Sequence, residues 1–136
     1  MGLDHGISVR VSLPDFALQG SQLEAYAKVA QGIKELLDLG EHTEELGVVK
    51  VSLDAITLRK AYHISDYMHK VTRIGENYEA TFDVEELDGL REFCLTEGND
   101  DEWLEIQNEI CLKGIERIRA ITEKYPMYDL IYWQSY

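Results

Sequence analysis

The sequence predicts an α+β fold in a single domain over residues 1–136, with about four helices packed on a small sheet of short strands. Three observations lead there. Apolar residues recur at helical spacing in long stretches opened by Ser or Asp and closed near glycine. Near the N-terminus and around residue 80 they alternate with a period of two. The C-terminal run "MYDLIYWQSY" is rich in strand formers. A chain of 136 residues that is 45% apolar can bury a core without metal or disulfide staples. No internal repeat, low-complexity stretch or shift in composition marks a second domain.

Ile7, Val9 and Val11 alternate with Ser8 and Arg10, which predicts a half-buried strand over 7–11, ended or bent by Pro14. Ser21 and Glu24 form a capping-box pair. The helix it opens carries Leu23, Tyr26, Ala30, Ile33 and Leu37 on one stripe and closes at Gly40. "GVVKVS", 47–52, reads as a second strand. Ser52 then caps a helix to about Arg73, stopping near Gly75, with Leu53, Ile56, Ile64, Tyr67, Met68 and Val71 on its apolar face. Tyr78, Ala80 and Phe82 alternate as a short strand. Asp83 with Glu86 is a second capping box, opening a helix through Leu95, and Gly98 breaks the chain. Asp101 caps a long helix to about Lys124, before Pro126. Trp103, Ile106, Ile110, Ile118 and Ile121 share one face of it, with Glu102, Glu105, Glu109 and Glu116 opposite. Gly114 sits mid-helix at a cost of roughly 1 kcal/mol, which points to the close approach of another backbone.

Charge narrows the function classes. Twenty-six acids against thirteen bases give a net charge of −13, so the expected partners are basic surfaces, with no direct binding of nucleic acid or of an anionic membrane. No apolar run approaches the ~20 residues of a membrane helix. The start "MGLDHGISVRV" lacks a signal pattern, and Gly6 breaks the myristoylation pattern, so a soluble, cytoplasmic chain is expected. Cys94 and Cys111 have no scaffold spacing and read as reduced core or core-edge thiols.

Three pieces, the opening "MGLD", "LRKAYHISDYM" and the ending "YWQSY", together resemble small phage and prophage proteins that open with the same four residues. The matching positions are Met1 to Asp4, Arg59, Lys60, Ala61, Ile64, Gln134 and Ser135. Ser65 stands where that pattern carries a histidine, and Leu58 and Tyr67 stand where it carries tryptophans. The resemblance implies a phage setting, in the cytoplasm of a host cell, and brings no biochemical activity with it.

On the helix expected from Ser52, Lys60 falls inside the apolar stripe. Either it is a desolvated lysine able to act as base, nucleophile or anion holder, or its stem packs on the core and the ammonium reaches water or a carboxylate, with Asp4 the candidate partner. His63 and His69 are six apart and lie on different faces; His63 and Asp66 are only two ligands, so no metal site is expected, and no cofactor. His5 and His42 lie near segment ends and are expected to face water. No phosphate loop, nucleophile elbow or CxxC is present.

The acids are not evenly spread. Between Glu76 and Glu109 lie thirteen of them against one base, Arg91, so this window holds −12 of the net −13. Glu85, Asp88 and Glu92 share one side of a helix, and Glu102, Glu105 and Glu109 one side of the next. Such a one-signed field steers cationic partners. These six residues are therefore the expected partner-binding set. The leading expectation is a protein that acts by protein–protein binding, inhibiting a host or defence nucleic-acid-binding factor through a surface that imitates nucleic acid. One alternative is a small enzyme or ligand-binding protein with a pocket formed by Asp4, Arg59, Lys60, His63 and Gln134; another is a structural or assembly protein of the virion. The balance of the motifs leans away from an enzyme.

Overall fold

The structure, a computed structural model, describes residues 3–14, 41–45 and 48–136. The elements in chain order are β1 (Asp4–Pro14), β2 (Glu41–Glu45), β3 (Val48–Arg59), α1 (Tyr62–Thr72), β4 (Glu79–Phe82), α2 (Glu86–Thr96), α3 (Glu102–Lys124) and β5 (Tyr128–Ser135). The α+β class is as the sequence predicts. Three helices stand among the described residues where about four are expected; the stretch from Ser21 to Gly40 lies outside them.

The five strands form one sheet in the order β2-β3-β1-β5-β4, each neighbouring pair antiparallel. β1, at the centre, pairs with β3 from Asp4↔Arg59 to Pro14↔Val48 and with β5 from Asp4↔Ser135 to Val11↔Tyr128. Its alternating Ile7, Val9 and Val11 are all buried. The core lies between the sheet and the helices: Leu53, Ile56 and Leu58 of β3 and Leu130 and Tyr132 of β5 meet Ile64 and Met68 of α1, Leu87 and Leu90 of α2, and Ile115, Ile118 and Ile121 of α3.

The helix expected from Ser52 to Arg73 is the main correction. Residues 48–59 are strand, and α1 begins only at Tyr62. The register shifts between Ile7 and Ser8, so that Ile7 faces Ile56 while Ser8 faces Asp54 and Ala55 has no partner. This bulge places inward residues at 53, 56 and 58. A spacing of three inside a strand imitates one turn of helix. Lys60 is therefore in no helical stripe. It is exposed, with φ of 53° in the turn from β3 to α1, and its amide donates to the Leu3 carbonyl at 2.7 Å. Asp4 is exposed as well, so the two make no buried pair.

α3 shows a second departure. Ile118 and Ile121 are buried, but Trp103, Ile106 and Ile110 stay 47%, 45% and 40% exposed. In its first half the helix turns Gln107, Asn108 and Cys111 inward instead. Asp101 caps it as expected, accepting from the Leu104 amide at 3.1 Å. The Asp83–Glu86 capping box does not form. The N-cap of α2 is Glu85, without a side-chain bond, and the chain enters through the turn Glu86 N–H to Asp83 carbonyl at 3.0 Å. Gly114 does mark a close approach: a Cβ there would meet the Ile56 side chain and lie 2.9 Å from the Ala55 carbonyl oxygen. Among the described residues no helix is long and apolar enough to cross a membrane.

Candidate functional site

The ladder between β4 and β5 ends at Phe82↔Leu130. There the chain leaves the sheet at Asp83 and turns into α2, while β5 runs on through Asp129 and Tyr128. Their divergence opens a groove of about 760 Å³, lined by Val71 from the end of α1, Thr81 to Glu86, and Pro126 and Tyr128 to Leu130. Val71, Phe82, Val84, Tyr128 and Leu130 are its apolar and aromatic members, though most of its exposed surface is polar. Four carboxylates border it, from Asp83, Glu85, Glu86 and Asp129, and among the described residues no Lys, Arg or His lines it. Glu86 and Asp88 occupy the first turn of α2, where the positive end of the helix dipole favours acids.

The six expected partner-binding acids are all exposed. Only Glu85 lines the groove. Asp88 and Glu92 lie further along α2, where Asp88 is bound by Arg119 of α3 and Glu92 lies 3.7 Å from Arg91. Glu102, Glu105 and Glu109 occupy the first half of α3. Arg119 stands outside the acidic window in sequence, yet packing delivers it to Asp88 of α2. Asp83, Glu86 and Asp129 are the groove residues that helical periodicity passes over. Two of them precede or open a helix, and Asp129 reads only as the polar position of an alternating strand.

The candidate pocket residues part ways. Asp4 and Arg59 are register partners at the end of the β1–β3 ladder, with Lys60 beside them, all three exposed. His63 turns to Asn108, Nε2 to Oδ1 at 2.7 Å, while buried Gln134 pairs with His69 Nε2 at 2.7 Å and donates to the Gly75 and Asn77 carbonyls. Among the described residues no group of three or more His, Cys, Asp or Glu is placed to hold a metal ion.

His5 is a further correction. It is fully buried rather than facing water, with Nδ1 2.9 Å from the Tyr132 hydroxyl and, among the described residues, no partner for Nε2. Burial, with smaller contributions from the charges of His63 and His69, pushes its pKa down from 6.5 to about 4. Burial pushes the Tyr132 hydroxyl up to about 12. His42 lies in β2, and its side chain is outside the described part of the molecule. Cys94 and Cys111 are free and buried, on the facing helices α2 and α3; hydrogen bonding with Cys94 and burial raise the Cys111 thiol. Comparison with known protein families, curated proteins and solved structures returned no match to this chain.

Proposed function

We propose that the protein acts by binding a basic protein surface, with the groove between the β4–α2 junction and the start of β5 as its docking point. The observation that carries this reading is the lining: four carboxylates and, among the described residues, no cationic side chain, with aromatic and aliphatic residues between them. A lysine or arginine suits it, since its methylene stem covers apolar surface while its charged head reaches carboxylates. The net charge of −13 adds long-range attraction, which raises the on-rate for a basic partner. The resemblance to phage proteins supports a narrower form, in which the partner is a host or defence protein whose basic surface otherwise holds nucleic acid. In that form Glu102, Glu105 and Glu109 on α3 extend the acidic surface beyond the groove.

The test pairs two groups of substitutions. Asp83→Asn, Glu85→Gln, Glu86→Gln and Asp129→Asn neutralise the groove; Arg59→Ala, His63→Ala and Lys70→Ala leave it alone. Against a basic partner captured from host lysate, the first group should slow association and flatten the dependence on salt. The second should bind as the parent does. Loss of binding in the second group with full binding in the first overturns the reading.

A further inference from the structure

Among the described residues β4 is the last strand of the sheet, paired on one side only. The Gln134 amide donates to the Tyr78 carbonyl at 2.9 Å, which makes Tyr78 and Gln134 a hydrogen-bonded pair. Antiparallel ladders alternate hydrogen-bonded and non-bonded pairs. With the register Glu79↔Trp133 to Phe82↔Leu130, the next bonded pairs are Ala80 with Tyr132 and Phe82 with Leu130. The N–H and C=O groups of Glu79 and Thr81 therefore point away from β5, toward the free edge. Among the described residues β4 pairs with β5 alone, so the ladder supplies those four groups with no partner. Tyr78, 78% exposed, stands at one end of this edge, and the acidic groove, which Thr81 helps to line, stands at the other.

We propose that a basic, extended segment of the partner protein adds to β4 as a sixth strand, its main chain bonding Glu79 and Thr81 and its cationic side chains entering the groove. This rests on the reading above and specifies how the partner is held. An exposed edge is a template for strand addition, in which main-chain bonds supply affinity and neighbouring pockets supply specificity. The edge here offers only four main-chain groups. Charge complementarity with Asp83, Glu85, Glu86 and Asp129 then selects a basic strand over other extended segments. At the far end the exposed ring of Tyr78 is available to an apolar side chain of the incoming strand.

The probe is a capped synthetic peptide of alternating lysine and valine, set against the same peptide N-methylated at every second backbone nitrogen. N-methylation keeps every charge and removes strand-pairing donors. Titrations at low salt should show the parent peptide binding at least about tenfold more tightly than the methylated one. The amides of Glu79 and Thr81 should gain protection from hydrogen exchange with the parent peptide. Thr81→Pro removes an outward donor and leaves the bonds to β5 in place, so it should weaken parent-peptide binding while the melting temperature holds. Equal binding of the two peptides overturns strand addition and leaves the basic-partner reading standing. Failure of both peptides to bind at low salt overturns both.

Discussion

His5 carries a pH dependence of stability. Its pKa is lowered in the fold, so between pH 6.5 and about 4 the unfolded chain takes up the proton and the folded chain does not. The stabilisation is complete above pH 6.5 and is lost as the pH falls toward 4. A drop from 6.5 to about 4 is worth at most about 3 kcal/mol at 1.36 kcal/mol per pH unit. Urea unfolding at pH 7 and pH 5 should show part of that loss before most carboxylates titrate, and His5→Phe should flatten the slope. Gly114 is the second residue whose environment sets a clear expectation. Even the single methyl of Gly114→Ala runs into Ile56 and the Ala55 carbonyl, so the variant should lose about 1–3 kcal/mol despite the better helix propensity of alanine. A melting temperature at or above that of the parent would contradict that close approach.

Among the elements, the junctions carry the information. The turn from β3 to α1 holds Lys60 at φ 53°, a left-handed conformation disfavoured by a Cβ. Lys60→Gly should therefore be neutral or stabilising by up to about 1 kcal/mol, whereas Lys60→Val should destabilise. Thermal melts of the two variants, which must differ in this order, test the turn. Asn108 fastens α3 to its neighbours: Oδ1 meets His63 of α1, and Nδ2 donates to the Glu97 carbonyl at 2.7 Å and to Asn99 at 3.1 Å. Asn108→Leu removes these bonds in a buried place, so a loss of about 1–3 kcal/mol in chemical denaturation is expected. Early hydrogen exchange in residues 97–99 of the variant would locate the damage.

Across the entire molecule, net charge dominates the response to solution conditions. At −13 the folded chain repels itself, and the two ion pairs among the described residues, Arg91–Glu92 and Arg119–Asp88, are exposed and contribute little. Adding salt from about 0.01 M to about 0.15 M shortens the screening length from ~30 Å to ~8 Å. The melting temperature should therefore rise across that range, and rise less for the variant with its groove carboxylates neutralised. Partner binding should move in the opposite direction and weaken. The same salt series thus separates self-repulsion from attraction to a basic surface.

Local sequence is sufficient for the fold class, the extent of α2 and α3, the Asp101 cap, the strands at both ends, the close approach at Gly114 and the acidity of residues 76–109. Each follows from spacing, capping chemistry or composition within a short window. Three other features depend on pairing between distant segments and emerge only in the folded chain. Residues 53–59 continue the strand read from 47–52 instead of opening a helix, because the bulge opposite Ile7 gives them a spacing of three that helices share and only the β1 partner distinguishes the two. Packing of β1 against its neighbours buried His5, which sits near a segment end in sequence and on the central strand of the sheet in space. Asp129 joined Asp83, Glu85 and Glu86 at one groove because β5 pairs with β4, an adjacency across some 45 residues that no local pattern encodes.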